Sequence, residues 1–307
     1  MFVKKLFEQI FFATRWYHYP LIVFLLPFSY IYGLAMQLRR KLTKPITYTI
    51  PIISVGNLIV GGSGKTPFVI ALASRYADVT VISRGYGRQS EGLVEVSHQG
   101  EILVDVKESG DEPMLMATAL SNASVMVGED RQKAIHFAKE QGAKLIILDD
   151  GFNRVDVEKF DILLEPNEIV NYYTFPAGPF REFLSTRKKA DVIVKEGKGF
   201  YRKVEVTNPT ERMVLVTAIS NPKRLDKYLP EGVVERVYYD DHAYFDEERL
   251  QQIIKTFQAT SLLCTSKDKV KMQGFKFPIS EMKLKLEIKK EIFSQVDAYI
   301  EGFKHAK

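Results

Sequence analysis

Cysteine is nearly absent. Cys264 stands alone among 307 residues, so no disulfide can close within the chain. One thiol cannot build a structural zinc site either, and a reducing, cytosolic compartment is the simpler reading. The chain also lacks internal repeats and low-complexity tracts. With 26% charged and 46% hydrophobic residues, disordered and collagen-like architectures are excluded. No basic helix or aromatic-basic platform marks a nucleic-acid surface, so no nucleic acid is expected as a partner. No obligate protein partner is evident. Charge of one sign is only in slight excess, with a net +5 and a pI near 9.0. That favours contact with anions but does not separate nucleic acid from phospholipid or a phosphorylated substrate. At roughly 150 residues per domain, the length suggests about two domains.

Charge disappears altogether from His18 to Leu38. Lys4, Lys5 and Arg15 flank this run on one side, and Arg39, Arg40, Lys41 and Lys44 on the other. No A-x-A cleavage site follows, which argues against a signal peptide. The run is long enough to span a bilayer, a task for about 20 apolar residues. Pro20 and Pro27 interrupt it, however, and Trp16, Tyr17, Tyr19, Tyr30 and Tyr32 crowd it as in interfacial seating. We expect a helical anchor in or dipping into the membrane interface, with its Lys and Arg residues on anionic headgroups. The competing reading is a hairpin of apolar helices buried against the domain.

Beyond Thr47, short β-branched runs alternate with helical patterns. Strands are expected at Ile50–Val55, Val79–Ser83, Ser124–Val127, Leu145–Leu148, Asp161–Leu164 and Asp191–Val194. Helices fall between them at Thr66–Tyr76, Glu112–Leu120 and Asp130–Gln141. Such alternation predicts a mainly parallel sheet covered on both faces. Gly92–Val106 reads as a hairpin insertion. A second alternation runs from Met213 to Thr265, followed by a strand at Met282–Ile288 and a short helix. Gly197–Lys203 is the most linker-like stretch. The expected segments are 1–45, an anchor; 46–198, a nucleotide-binding and catalytic domain; and 199–307, a smaller α/β domain.

The first of those strands runs into a glycine-rich loop, Gly56 to Gly64, then Lys65-Thr66 and an apolar helix. Backbone N–H groups of Gly61, Gly62, Ser63 and Gly64 can cradle phosphates, and Lys65 adds a point charge. The Thr66 hydroxyl can ligand Mg²⁺. Ile59 stands where the strict G-x-x-x-x-G-K-[ST] pattern requires glycine, so only the physical context matches. A second half is supplied by Asp149-Asp150 after the apolar run Leu145–Leu148. One carboxylate can hold the Mg²⁺ water shell while its neighbour faces elsewhere, because strand residues alternate faces. Three further polar loops stand out, around Arg84–Arg88, Ser109–Pro113 and Phe175–Glu182. Taken singly they are turn chemistry; Asp111, for example, could simply cap the helix that follows it.

In order, Ser54-Val55-Gly56-Asn57, Gly61-Gly62-Ser63-Gly64-Lys65-Thr66-Pro67, Ser83-Arg84-Gly85-Tyr86-Gly87 and Gly110-Asp111-Glu112-Pro113 form a recognisable series. It continues with Asp130-Arg131, Leu148-Asp149-Asp150-Gly151-Phe152, Phe175–Glu182, Asp241-His242 and Thr265–Lys271. The set resembles the tetraacyldisaccharide 4'-kinase (lipid A 4'-kinase) family over nearly the whole chain. Asn153-Arg154 departs from the family's Gln-His, and Ser266 from its Glu. The resemblance implies a P-loop NTPase-like, doubly wound, mainly parallel α/β sheet. A smaller C-terminal α/β domain and an apolar membrane-anchoring helical segment complete the fold. It also implies ATP and Mg²⁺ as cofactors. The γ-phosphoryl group would pass to the 4'-hydroxyl of an acylated disaccharide 1-phosphate lipid, giving lipid IVA at the cytoplasmic face of the bacterial inner membrane. Carried over, Asp111 is the base and His242 orients or tunes it. Asp149, Asp150 and Glu182 become metal-shell carboxylates, and Arg84, Tyr86, Arg131 and Arg181 grip the substrate.

Besides a non-enzymatic membrane-anchored scaffold with a vestigial glycine loop, against which Lys65 and Asp150 together argue, the rival reading is a membrane-associated P-loop ATPase switch with water as acceptor. It would need neither the Asp111 loop nor a lipid-like anchor. A guanine-specific version would carry Asn/Thr-Lys-x-Asp, which Thr265-Ser266-Lys267-Asp268 does not match.

Overall fold

The computed structural model describes residues 2–61 and 64–305. Gly62 and Ser63 of the glycine loop therefore lie outside the described residues. In chain order, α1 is Phe2–Phe12, α2 Tyr19–Leu42, β1 Ile52–Gly56, α3 Lys65–Ala73, β2 Val79–Ser83, β3 Val94–His98 and β4 Glu101–Ile102. Then come α4 Val106–Ser109, α5 Asp111–Ala119, β5 Ala123–Val127, α6 Arg131–Glu140, β6 Leu145–Asp149, β7 Phe160–Glu165 and β8 Val192–Lys195. The remainder is β9 Phe200–Thr207, β10 Met213–Thr217, β11 Val233–Tyr238, α7 Glu247–Phe257, β12 Ser261–Thr265, α8 Ser266–Lys269, β13 Ile279–Ile288 and α9 Lys290–His305.

Two compact units emerge, each discontinuous in sequence. One comprises Met1–Lys65, Leu145–Tyr201 and Ile288–Lys307; the other comprises Thr66–Lys144 and Arg202–Glu287. Within the first, the strand order is β6-β1-β7-β8, and every neighbouring pair is parallel. β1 is buried at all five positions, as continuous apolar strands of a parallel sheet must be. In register, Val55 lies opposite Asp149, so the end of β6 sits beside the start of the glycine loop. Gly56 is required there: a Cβ would come within 2.5 Å of Phe152 Cβ and 2.8 Å of its backbone N.

The second unit carries the strand order β4-β3-β5-β2 and a separate sheet, β11-β10-β12-β13-β9. Its β2–β5 pair is parallel, while β3 runs antiparallel to both β4 and β5. The insertion at Gly92–Val106 is thus the hairpin its polar turns predicted. Around β10 and β12, Val214, Val216, Leu262 and Cys264 pack with Leu250 of α7 into an apolar core. Burial pushes the Cys264 thiol well above its usual range, so it serves as a small apolar filler.

Several boundaries differ from expectation for identifiable reasons. Pro27 does not break α2, which continues through it to Leu42, and Pro20 occupies the first turn, where its missing N–H costs nothing. Gly197–Lys203 holds the passage from one unit to the other, at Tyr201/Arg202, as a tight turn at Gly197 that leads directly into β9. The final helix, α9, is sixteen residues rather than short. α2 is long and apolar enough to cross a membrane by length and composition.

Candidate active site

The β1–α3 connection organises the first cluster, of which Asn57, Lys65, Asp149, Asp150 and Arg181 belong to the first unit. Gly61 and Gly64 adopt φ of +94° and +78°, a left-handed region that disfavours side chains. Lys65 Nζ donates to Asn57 Oδ1 at 3.1 Å and stands 3.4 Å from Asp150 Oδ1. Arg181 Nη1 donates to both Asp150 oxygens, at 2.8 and 3.1 Å. Burial would raise the Asp150 pKa, but the charges of Lys65 and Arg181 outweigh it and hold the carboxyl below its ordinary value. Asp149 is buried at the end of β6. Asp150 lies beyond the strand with φ +54°, so a left-handed turn, not strand alternation, separates the two carboxylates. Thr66 follows Lys65 in the first turn of α3 and is buried.

The second cluster lies in the second unit. Asp111 opens α5 but does not cap it; Gly110, at φ +88°, takes the N-cap position. The Asp111 side chain instead meets His242, whose Nδ1 is 2.9 Å from Oδ2 and 3.1 Å from Oδ1. Lys267 Nζ stands 3.6 Å and Lys271 Nζ 3.9 Å from the same Oδ2. Burial pushes the Asp111 pKa upward, yet the His242 hydrogen bond and the lysine charges win and leave it lowered. An ionised carboxylate only accepts, so Nδ1 carries the proton and donates it to Asp111, while Nε2, on the far side of the ring, stands 3.7 Å from Asp241 Oδ2. The Tyr86 ring lies 5.3 Å from the imidazole, centroid to centroid. Exposure distinguishes the partners: the Asp111 side chain is 4% exposed and that of His242 24%.

Buried structure supports this cluster. Asp268 is fully buried and takes hydrogen bonds from Thr217 Oγ1, Thr265 Oγ1 and Ala218 N at 2.7, 2.7 and 3.0 Å. Lys271, its side chain sealed from solvent, lies 3.4 Å from Asp268 and donates to Ala243 O at 3.0 Å. Lys267 pairs with Glu112 at 3.0 Å. Burial alone would lower the Lys267 pKa; Glu112 and Asp111 reverse that and raise it. Neither lysine was assigned a role from the sequence, although their i, i+4 spacing on a helical turn places them on one face. Asn57 and Arg40 were missed as well.

Two expected site residues are engaged elsewhere. Arg131 is buried and its guanidinium ties the backbone oxygens of Ser83, at 2.7 Å, and Gly128. It braces the ends of β2 and β5 and is not a surface grip on substrate. Its neighbour Asp130 caps α6. Glu182 is buried and gives both oxygens to Arg40, each at 2.9 Å, so its charge is already matched by a guanidinium. Arg84 is exposed, as a substrate-facing side chain should be.

The sequence matches the family model "LpxK: Tetraacyldisaccharide-1-P 4'-kinase" over residues 21–208 and 199–301. The chain belongs to the tetraacyldisaccharide 4'-kinase family. Among curated members, the Helicobacter pylori (strain J99) tetraacyldisaccharide 4'-kinase is 47% identical, covering 97% of this chain and 95% of that protein. The Aliarcobacter butzleri tetraacyldisaccharide 4'-kinase is 42% identical, covering 97% of both chains. A crystal structure of Aquifex aeolicus LpxK in complex with ATP superposes with a TM-score of 0.77 at 30% identity, over 92% of this chain and 99% of that one. At the two departures from the family pattern, the Asn153 carbonyl accepts from Arg39 and the Arg154 carbonyl from Lys159.

Proposed function

We propose that His242 is the base of a phosphoryl transfer and that Asp111 positions it, the reverse of the roles read from the sequence. The reaction is the family's: the γ-phosphoryl group of ATP passes to the 4'-hydroxyl of tetraacyldisaccharide 1-phosphate in lipid A biosynthesis. The 4'-oxygen forms a bond to the γ-phosphorus, the bond to the β–γ bridging oxygen breaks, and the hydroxyl proton goes to His242 Nε2. The observation that carries the assignment is the hydrogen bond from Nδ1 to a buried, ionised Asp111: it selects the tautomer whose lone pair, in the neutral ring, is on Nε2. Asp111 itself is hemmed in by two ammonium groups, a poor setting in which to take up a proton.

Because the transition state of phosphoryl transfer is loose, most of the rate comes from placing and neutralising charge. Lys65, the glycine loop and the N-terminus of α3 serve the phosphates, and Arg181 stands ready beside Asp150. Among the described residues, no group of three His, Cys, Asp or Glu side chains could hold an ion alone. Asp149 at the end of β6, opposite Val55 and so beside the start of the glycine loop, and Asp150 after it fit Mg²⁺, which takes one or two carboxylates and completes its shell with phosphate oxygens and water. Thr66, Asp149 and Asp150 would hold it, where it would neutralise charge on the β- and γ-oxygens. Glu182 leaves this set. Arg84 and Tyr86 remain the residues for the sugar and its phosphate. α2 anchors the protein to an anionic membrane at its cytoplasmic face, where such a lipid would be met.

The test is to incubate purified protein with Mg-ATP and the disaccharide 1-phosphate in detergent and locate the new phosphate. Phosphate at the 4' position supports the proposal. ATP turnover indifferent to the lipid would favour the switch with water as acceptor.

A further inference from the structure

One face of α2 is tied to its own unit from end to end. Ile22, Ser29, Gly33 and Arg40 follow an i, i+7, i+11, i+18 pattern, a single line along a helix. Ile22, Ser29 and Gly33 are buried. A Cβ on Gly33 would overlap the Phe183 ring at 2.3 Å, and Arg40 reaches Glu182 and the Phe152 carbonyl. At 1.5 Å per residue this line extends about 27 Å, close to the thickness of a bilayer core. A helix held against its own unit along one line over that length cannot be surrounded by lipid on all sides, which favours a position in the plane of the interface. Val23, Phe24, Tyr30, Ile31, Leu38 and Leu42 are exposed on its other side.

A second apolar element adjoins it. Val170, Tyr172, Tyr173 and Phe175 are 52%, 56%, 46% and 44% exposed, in a stretch without a charge from Ile169 to Phe180. Scattered exposed apolar residues are ordinary; four within six residues, continuous with an apolar helix face, are not. Their backbone is firmly held. Thr174 Oγ1 donates to Ser29 O at 2.6 Å, and Ala177 N donates to Ser29 Oγ at 2.8 Å. Buried Asn171 donates to the carbonyls of Ile10 and Ala177. The Phe175 ring lies 5.8 Å from that of Tyr32 and 6.5 Å from that of Phe11. The strap is therefore ordered on its inner side and apolar on its outer side.

We propose that Val170–Phe175 enters the same phospholipid interface as α2, so that the protein sits on the membrane through a two-part apolar surface with α2 in its plane. The proposal rests on the membrane reading above. Tyrosines suit it, because their rings reach the acyl boundary while their hydroxyls stay among headgroups. Exposed Arg39, Lys41 and Lys44 at the end of α2 supply charge for anionic lipids, which favours a bilayer over a second copy of this chain.

The experiment uses the full chain carrying Trp16→Phe, with a single new indole at either Phe24→Trp or Tyr172→Trp. Each is mixed with phosphatidylethanolamine–phosphatidylglycerol vesicles whose acyl chains carry bromine. We expect both indoles to shift to the blue and to be quenched. Quenching at position 24 without quenching at 172 overturns the strap proposal and leaves the membrane reading standing; quenching at neither removes the membrane reading itself. In a second measurement, Tyr172→Asp with Tyr173→Asp should weaken partitioning into the same vesicles about tenfold or more, with thermal unfolding unchanged. Unchanged partitioning, or loss of self-association in place of vesicle binding, overturns the proposal.

Discussion

The two functional clusters place their charges differently. Around Lys65, the acidic partner Asp150 is 36% exposed and sits on a left-handed turn. Around His242, the acidic partner Asp111 is 4% exposed and enclosed by two lysines. The difference matches the roles proposed for them. A cluster that receives phosphates has to release its cations from Asp150 and redirect them, so its ion pairs are accessible and interchangeable. A cluster that accepts one proton must keep one nitrogen aimed, and burial of the orienting carboxylate in a hydrogen-bonded frame does that.

Removing one member of each cluster should separate these duties. Lys65→Ala should have the largest effect, lowering kcat about a thousandfold or more, because transition-state charge on the phosphates loses its neighbour. Steady-state kinetics over a range of Mg-ATP checks this; normal turnover would leave the glycine loop without a role. His242→Ala should lower kcat by roughly two to three orders of magnitude while ATP affinity stays near wild type. Asp111→Asn should belong to the same kinetic class. Combining it with His242→Ala should cost much less than the product of the two, since the residues act as one device. Independent effects in that double variant would refute the pairing.

Smaller effects probe the supporting structure. Arg40→Ala strands a buried Glu182 and should destabilise the fold by about 3 kcal/mol. Adding Glu182→Gln should recover part of that loss, as read by denaturant unfolding. If Glu182 were a metal ligand instead, the double variant would restore no stability. The smallest effect is the linkage at Asp111. Its folded pKa is lowered, so its stabilising contribution is fully present above the ordinary carboxylate value of 3.8. That contribution disappears as pH falls through the lower folded value. The stability gap between wild type and Asp111→Asn should therefore be constant near neutrality and close only in strong acid. A gap closing near pH 6 would contradict an ionised, lysine-flanked carboxylate.

Much of this was legible in the chain itself. Strands β1, β2 and β6 announce themselves as short, uniformly apolar runs, and the glycine loop, Lys65 and Thr66 are adjacent in sequence, so local pattern suffices for them. The Asp111–His242 pair was legible only through the family resemblance, because neither residue carries a local signal. Arg131 and Glu182 were read as binding residues through the motifs that carry the family resemblance, which say nothing of burial. Burial reversed both, since a buried charge must find a partner, and backbone carbonyls and Arg40 provide them.

By itself the amino-acid sequence determined the alternation of strands and helices, the anion loop with its lysine, and the long uncharged run at the start. Each depends on residues close together in the chain, where periodicity, glycine and charge act locally. Tertiary structure alone decided which carboxylate meets which imidazole nitrogen. Asp111 and His242 are 131 positions apart, and only folding brings Lys267 and Lys271 against the same oxygen. It also decided that α2 is sheathed along one side, because the partners of Ser29, Gly33 and Arg40 come from more than a hundred residues downstream. Long-range electrostatics and burial have no sequence period, so no reading of local pattern could have supplied them.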